Sequence, residues 1–503
     1  MSLFPSAYKE DDPFNVWMKR AAPIAVLVLL PLVILLQQLT SSFHSQTTNA
    51  PMAEVVRSED VPDPGVADLT VTSKMLVKQV FHVLHRNDPS GKSSRQPWGD
   101  IEHPDRWDGI AVPREVAREA ITDIDRLAVS RTDRFRAAIV AGELLGPAET
   151  AQRLQKLSEE ASPGGDLARD IGWLKPWYEN AAKGRLEPLP AEVQESLRSR
   201  HEWFADLALS HQQPAGEPLR WATMTGAGKL STLRTLINLW EWVGLFLGVV
   251  LAVILLLKMR GHSHGIPVTT VPRHVYAEAF ALFLLGFVTM DCVGLLLLGE
   301  TAAWAFVVHE LMLWTAVLAV FCPLLRGVTA EELRVDIGLT AGEDGIGREI
   351  SAGLVGYFAG VALLFGYYLL LGMFTGDAGE DPATDTRFPM FEQPLSNSWI
   401  PVIFGAISAC IWAPVFEEIF FRGCLHRAFP TKLPLVARVL SSAVIFGIVH
   451  PYGTQGIIQV ALGGLVYGYL REWRGSIIGP MLAHALHNGT ITAVQIGVLV
   501  AIK

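Results

Sequence analysis

Charge is what this chain has least of. Of its 503 residues only 18% are Asp, Glu, Lys or Arg, while 50% are hydrophobic. A soluble globular protein ordinarily carries about a quarter charged residues. No basic stripe, basic-aromatic interleaving or Cys/His module occurs, so a nucleic-acid partner is not expected. The net charge of −9 is spread too unevenly to indicate a partner. Cysteine is scarce as well. Cys292, Cys322, Cys410 and Cys424 all fall in or beside apolar runs, which argues against a disulfide framework, and their spacing fits no zinc module. They read as small apolar packing residues. The sequence also lacks a nucleotide loop, a His-Glu-x-x-His motif and any evident internal repeat.

What is present is long apolar runs. Residues 45–235 read as an ordinary soluble helical segment, whereas 236–503 consist mostly of apolar stretches with short charged breaks. Runs of about 18 apolar residues or more are candidate membrane helices, because only a helix satisfies its own backbone in lipid. About nine are expected, near 21–39, 236–257, 276–298, 302–324, 350–374, 399–421, 435–450, 454–470 and 476–500. The first, Ala21 to Leu39, follows Lys19-Arg20 and no small-x-small cleavage site succeeds it, so it reads as an uncleaved anchor rather than a signal peptide. The expected fold class is all-α: a polytopic transmembrane helix bundle with an extramembrane helical domain after the first span.

Four regions follow: an N-terminal tail and anchor (1–39), an extracytoplasmic helical domain (40–235), accessory membrane helices (236–375) and a C-terminal core (398–503). The Lys/Arg bias of short loops sets orientation. A cytoplasmic N-terminus places Lys19/Arg20, Lys258/Arg260/Arg273, Arg326, Arg422/Arg427/Lys432 and Arg471/Arg474 on the inner side. Glu300, the acidic stretch Asp377 to Asp385 and the nearly uncharged turn 451–456 then lie outside. In the outer domain, about 40–70 reads as a linker. Amphipathic patterns follow at Pro113–Leu145 and Ala148–Ala161, with Ser162-Pro163-Gly164-Gly165 as punctuation. Arg114, Glu115, Arg118 and Glu119 would sit on solvated faces. The domain reads as a binding or regulatory module, and no motif names its ligand.

Ionisable groups inside a membrane are costly, so each is a candidate site residue. Three clusters stand out in the last spans. In Glu417-Glu418-Ile419-Phe420-Phe421-Arg422, Glu418 and Arg422 are spaced i,i+4 and share a helix face. Glu417 points about 100° away and is left in apolar surroundings, which favour the neutral form of a carboxyl group and suit acid/base work. Alone, the cluster reads equally well as an interfacial ion pair that ends a span. In Phe446-Gly447-Ile448-Val449-His450 an aromatic ring lies one turn below a histidine and can orient it; a structural helix-end histidine is the plainer reading. In His484-Ala485-Leu486-His487-Asn488, His484 and Asn488 share a face and can aim two donors at one point, as an oxyanion requires. His487 is close in angle, and a polar packing patch is the alternative.

Depth ties the clusters together. At about 1.5 Å per residue, Glu417 lies roughly 15 Å above Arg427, His484 roughly 13 Å above Gly475 and His450 roughly 18 Å above Arg438. Glu241, Asp291, His309 and Glu310 are further intramembrane polar residues, able to line a cavity or to pair between helices. His262 and His264 fall in a polar loop.

The succession Glu-Glu-x-x-x-Arg, Phe-x-x-x-His, His-x-x-x-Asn, in consecutive spans over roughly 400–495, resembles the CPBP (CAAX protease and bacteriocin-processing, or Abi) family of intramembrane peptidases, to which the type II CAAX prenyl endopeptidase belongs. The resemblance implies an intramembrane endopeptidase acting on a membrane-associated peptide or protein in the lipid bilayer. Glu417 would be the general base toward water, His450 would position that water, and His484 and Asn488 would hold the oxyanion. Glu418, Arg422 and Phe446 would support them. No cofactor is expected; zinc held by Glu417, His450 and His484 is the alternative, since one carboxylate and two imidazoles can form an open zinc site. The expected setting is a bacterial inner membrane. The rival functions are a non-catalytic scaffold, immunity or peptide-binding protein on the same fold, and a transporter, for which no internal symmetry is visible. An outer domain that senses a ligand and gates the peptidase is a further possibility.

Overall fold

The computed structural model describes residues 16–33, scattered positions between 117 and 128, then 131–259, 266–298, 303–375 and 399–502, with short gaps inside these ranges. The expected linker 40–70, Glu300, His262, His264 and the acidic stretch Asp377 to Asp385 lie outside the described residues, as does the side chain of Asp291. Among the described residues every regular element is helical and there is no strand. The chain divides into two compact units, one of residues 1–57 and 239–493 and one of 58–238 and 494–503.

The second unit holds helices α2 (Arg131–Leu145), α3 (Pro147–Glu160), α4 (Asp166–Ala181), α5 (Ala191–His201) and α6 (Trp203–Leu209). The first helix of the chain, α1 (Val16–Val33), belongs to the other unit. An amphipathic helix was expected to run to Leu145, yet α2 buries Phe135 and Ile139 together with Asp133, Arg136 and Glu143. It is covered nearly all round, as a central helix is, and such burial leaves no polar face for periodicity to detect. α3 keeps the amphipathic pattern, burying Leu154 and Leu157. The two helices approach closely at Gly142, where a β-carbon would lie 2.2 Å from Thr150 Oγ1. The buried charges are matched: Glu143 accepts from Arg220 Nη2 at 2.7 Å and lies 2.6 Å from His211 Nδ1, while Asp170 takes Arg200 and, at 2.9 Å, His201 Nε2.

The membrane unit follows from the apolar runs. Six described helices are long and apolar enough to cross a membrane: α1, the stretch Thr235–Ile254 of α7 (Pro218–Met259), Arg273–Gly294 of α8 (Arg273–Leu298), Val307–Leu325 beginning in α9 (Ala303–Trp314), Ile346–Leu371 of α11 (Ile346–Thr375), and α12 (Val402–Ala428). A short helix, α10 (Ala330–Ile337), precedes α11 and starts in a capping box between Thr329 and Glu332. The last three expected runs are α13 (Leu435–Ile448), α14 (Thr454–Arg474) and α15 (Ile478–Ile502). The described part of each of the nine expected runs therefore falls on a helix, and six of these helices meet the length and apolarity of a span. Leu239, Trp242, Phe246 and Val249 of α7 are exposed large apolar side chains, the surface a helix presents to lipid.

Small residues set the helix spacing. Without a hydrophobic drive between helices in lipid, close backbone approach supplies the packing. On α11, β-carbons at Gly353, Gly356 and Gly360 would lie 2.9 Å from Gly479 O, 2.4 Å from Leu470 Cδ1 and 2.2 Å from His487 Cε1. The α13–α14 hairpin closes in the same way at Gly447, whose β-carbon would meet Ile457 O at 2.6 Å.

Four of the arginines expected at the cytoplasmic breaks are held inside the fold. Arg422, Arg427, Arg471 and Arg474 are all buried. Arg471 donates to the carbonyls of Arg422 (3.1 Å) and Asp336 (2.8 Å), Arg427 also donates to Asp336 O (2.7 Å), and Arg474 pairs with Glu349 and Asp344. They tie helix ends together, because a buried guanidinium with five donors satisfies several orphan carbonyls at once.

Candidate active site

α12 positions the two glutamates, and it is not a uniform α-helix. Ile400–Ile407 leads into a π segment, Ser408–Trp412, then an α turn, Ala413–Glu417, then a second π segment, Glu418–Leu425. In the first π segment the N–H of Ala413 bonds to Ser408 O, five residues back. The next donor in that register would come from residue 414, which is proline and has no N–H. Ala409 O would therefore lose its partner within a membrane helix. Asn488 of α15 replaces it, with Nδ2 donating to Ala409 O at 2.7 Å.

The second π segment begins at the Glu417-Glu418 pair. Glu418 and Arg422 are fully buried and bonded, Nη1 to Oε1, at 3.0 Å. Arg422 Nη2 also donates to Gly464 O at 3.0 Å, and its guanidinium lies 4.3 Å over the Phe446 ring and 5.2 Å over Tyr467. Gly464 has to be small here, since a β-carbon would come within 3.1 Å of that guanidinium.

Glu417 lies on a different face, on a cavity of about 390 Å³ that His450, His484 and Asn488 also line. Its Oε2 lies 3.9 Å from His450 Nε2 and 4.0 Å from His484 Nε2. Oε2 is buried and has no hydrogen-bond partner among the described residues. Each imidazole is set by its other nitrogen. His450 Nδ1 is 2.7 Å from Phe446 O, a carbonyl that only accepts, so Nδ1 carries a proton and the neutral ring presents an Nε2 lone pair to the cavity. His484 Nδ1 is 3.0 Å from Glu418 Oε1, which fixes a proton there as well. Phe446 packs edge-on against both rings, with centroids at 4.9 Å from His450 and 5.7 Å from His484.

All seven residues named from the sequence thus meet in one place: Glu417, His450, His484 and Asn488 on the cavity, with Glu418, Arg422 and Phe446 behind or beside them. Asn488 differs from expectation, since at least one of its amide hydrogens is committed to Ala409 O. Sequence reasoning missed Tyr467. Its ring stacks on His484 at 4.9 Å and 18°, and its hydroxyl lies 2.6 Å from His487 Nδ1. His487 turns its other nitrogen to Tyr357 O at 2.9 Å, so it braces α11 against α15. Of the four polar residues left unranked, Glu310 lines the cavity, and His309 packs against Gly294. Among the described residues no group of three His, Cys, Asp or Glu side chains is arranged to hold a metal ion, the Glu417/His450/His484 trio included.

Comparison with known proteins bears on this segment. Residues 398–490 match the model of the family described as type II CAAX prenyl endopeptidase Rce1-like. The resemblance read from the three motifs is borne out over that Rce1-like segment, which contains all seven residues. A protein of Bacillus subtilis (strain 168), named "Putative membrane peptidase YdiL", is 26% identical over 198 residues, covering 37% of this chain and 73% of its own. No solved structure matches the chain. The chain is an integral membrane protein, and its Rce1-like segment has the likeness of a CAAX-type membrane peptidase.

Proposed function

We propose that this protein is an endopeptidase that hydrolyses a peptide bond of a membrane-associated protein or peptide within the bilayer. One observation carries the reading: a carboxylate oxygen with no hydrogen-bond partner among the described residues stands about equally far from two imidazole Nε2 atoms, in a cavity walled largely by apolar side chains. Separations of 3.9 and 4.0 Å are too long for direct hydrogen bonds. They suit one water bonded to both groups at about 2.8 Å, the two bonds meeting near 90°.

In this reading water donates one hydrogen to Glu417 and the other to His450 Nε2, which leaves a lone pair directed at the substrate carbonyl. Glu417 takes the proton as the C–O bond forms, and later passes it to the amine as the C–N bond breaks. His484, with its Nδ1 proton held by Glu418, donates from Nε2 to the developing oxyanion when it carries its second proton. The contact of its Nδ1 with Glu418 Oε1 holds the ring in place for that bond. The second amide hydrogen of Asn488 can join it. None of these steps uses a metal. Arg422 pairs with Glu418, so the charge of the supporting carboxylate is balanced behind the site. The proposed setting is a bacterial inner membrane with the N-terminus cytoplasmic and the site reached from that side.

The test replaces Glu417 by Gln in the full chain and profiles membrane peptides by mass spectrometry against wild type. Gln keeps the size and removes the base. Specific products should vanish while their precursors accumulate. An unchanged profile, with the Gln variant rescuing the phenotype of a deletion, would refute catalysis in favour of a scaffold or peptide-binding role.

A further inference from the structure

A second carboxylate opens on the same cavity, and the proposed chemistry does not use it. Glu310 of α9 lines the wall, and Oε2 accepts from Ser408 Oγ of α12 at 2.6 Å. Ser408 Oγ in turn accepts from Trp314 Nε1 at 3.2 Å. The hydroxyl therefore has its single proton committed to Glu310, and the indole keeps it turned that way. Trp314 is itself clamped between Phe404 and Trp412, with ring centroids at 5.2 and 4.4 Å and planes within 20°. The carboxylate is held in a fixed direction by stacked aromatics. Yet a neutral hydroxyl does not balance its charge, and no cationic side chain lies within 4.0 Å of it among the described residues. The cavity is walled largely by apolar side chains, Phe283, Phe287, Leu313 and Val317 among them. A carboxylate in such surroundings is costly unless a cation meets it, and the attraction is then stronger than in water.

We propose that Glu310 and Ser408 form a subsite for a basic side chain, an ammonium or guanidinium, about four residues from the cleaved bond. The spacing comes from α12. Ser408 and Glu417 are nine residues apart on that helix, roughly 12–13 Å at about 1.5 Å per residue and somewhat less in the π segment. An extended peptide advances about 3.3–3.6 Å per residue, so that span corresponds to about four residues. The long methylene stem of Lys or Arg would lie along the apolar wall, with its charged end at Glu310. The substrate is thus an apolar segment that carries one positive charge at a set distance from the scissile bond. The proposal rests on the peptidase reading, and its test separates the two.

Wild-type full-length protein in lipid nanodiscs is given a cleaved peptide identified by the Glu417→Gln comparison. A single Lys is placed two to six residues from the cleaved bond, on either side, each time against norleucine at the same position. The Lys-to-norleucine ratio of kcat/KM should peak near the fourth residue on one side at roughly tenfold or more, as one charge-assisted hydrogen bond provides. In Glu310→Gln that ratio should fall to about one. A ratio needs no unchanged turnover, so a partly impaired variant still reports. Ser408→Ala, which frees the carboxylate to swing, should broaden the peak. A ratio that Glu310→Gln does not move, or one with no positional peak, overturns the subsite and leaves the peptidase reading intact. If wild type cleaves none of the peptides, the peptidase reading fails. The subsite is then judged by binding of the same pairs to Glu417→Gln protein, where equal affinity for Lys and norleucine overturns it.

Discussion

The ion pair behind the site makes a quantitative demand on stability. Glu418 and Arg422 are both fully buried, and Glu418 Oε1 serves Arg422 and His484 together. Taking away one partner leaves a buried charge without compensation, which costs about 3–5 kcal/mol. Glu418→Gln and Arg422→Met should each lower the melting temperature by roughly 6–20 °C, at about 2–4 °C per kcal/mol. Replacing both, Glu418→Leu with Arg422→Met, removes the charges together. What it leaves is Gly464 O and His484 Nδ1 without their partners, at about 1–3 kcal/mol for each buried group. The double variant should therefore cost less than the two single ones added, by roughly 2 kcal/mol or more. Buried Cys322 and Cys424 supply the assay, since a thiol-reactive dye in detergent reports the temperature at which they become accessible. Costs that add to within about 0.5 kcal/mol would show the two groups to be uncoupled, and would remove the argument that Arg422 balances the charge of Glu418 behind the site.

Three further outcomes follow from particular contacts. Tyr467→Phe keeps the stack on His484 but loses the hydroxyl at His487 Nδ1; it should cost about 0.5–1.5 kcal/mol and leave the pH profile of cleavage in place, whereas a shifted profile would place the hydroxyl in the chemistry. Gly360→Ala puts a β-carbon 2.2 Å from His487 Cε1 and should destabilise by about 1–3 kcal/mol, measured by thermal unfolding; a neutral effect would mean that α11 and α15 are not in close contact. In the soluble unit, burial pulls His201 below its ordinary value despite Asp170, and Asp170, which burial alone would raise, is held low by His201 and Arg200. The unfolded chain then binds more protons than the folded one as pH falls below about 6.5, and again below about 4, so hydrogen-exchange protection of α4 and α5 should weaken in those two windows, and protection that holds or rises on acidification would contradict it.

The parts of this protein legible from its sequence are those that depend on one helix at a time. An apolar run long enough to span is visible as a run, and the described part of every expected run is helical. The Glu418–Arg422 pair is an i,i+4 relation, and Phe446 with His450 is another, so both appear in the spacing before any fold is known. Equal depth in the membrane then brought Glu417, His450 and His484 together, because helices that share one slab measure depth by residue count. The misreadings have the same origin. α2 was expected to be the end of an amphipathic pattern running from Pro113 to Leu145, but Asp133, Arg136 and Glu143 are buried. The loop arginines were read only for the side of the membrane they mark, and their spacing gave no sign that Arg471 donates to the carbonyls of Arg422 and Asp336.

Relations between helices left no such trace. Tyr467 stacks on a histidine seventeen positions away, and Ser408 meets Glu310 across ninety-eight; neither pair has a spacing that marks it. Asn488 makes the point most clearly. Read by periodicity, it shares a face with His484, which suits either an oxyanion site or a polar packing patch. In the structure one amide hydrogen answers a carbonyl that Pro414 leaves without a donor, and only because α12 runs five residues per bond at Ser408–Trp412. In a regular α-helix the missing donor would have been owed to Cys410 O instead. The π register therefore decides which carbonyl calls for Asn488, and through that bond it settles where the remaining amide hydrogen can reach. Placing Asn488 at the reaction centre thus depends on a helical irregularity that a period of 3.6 cannot express.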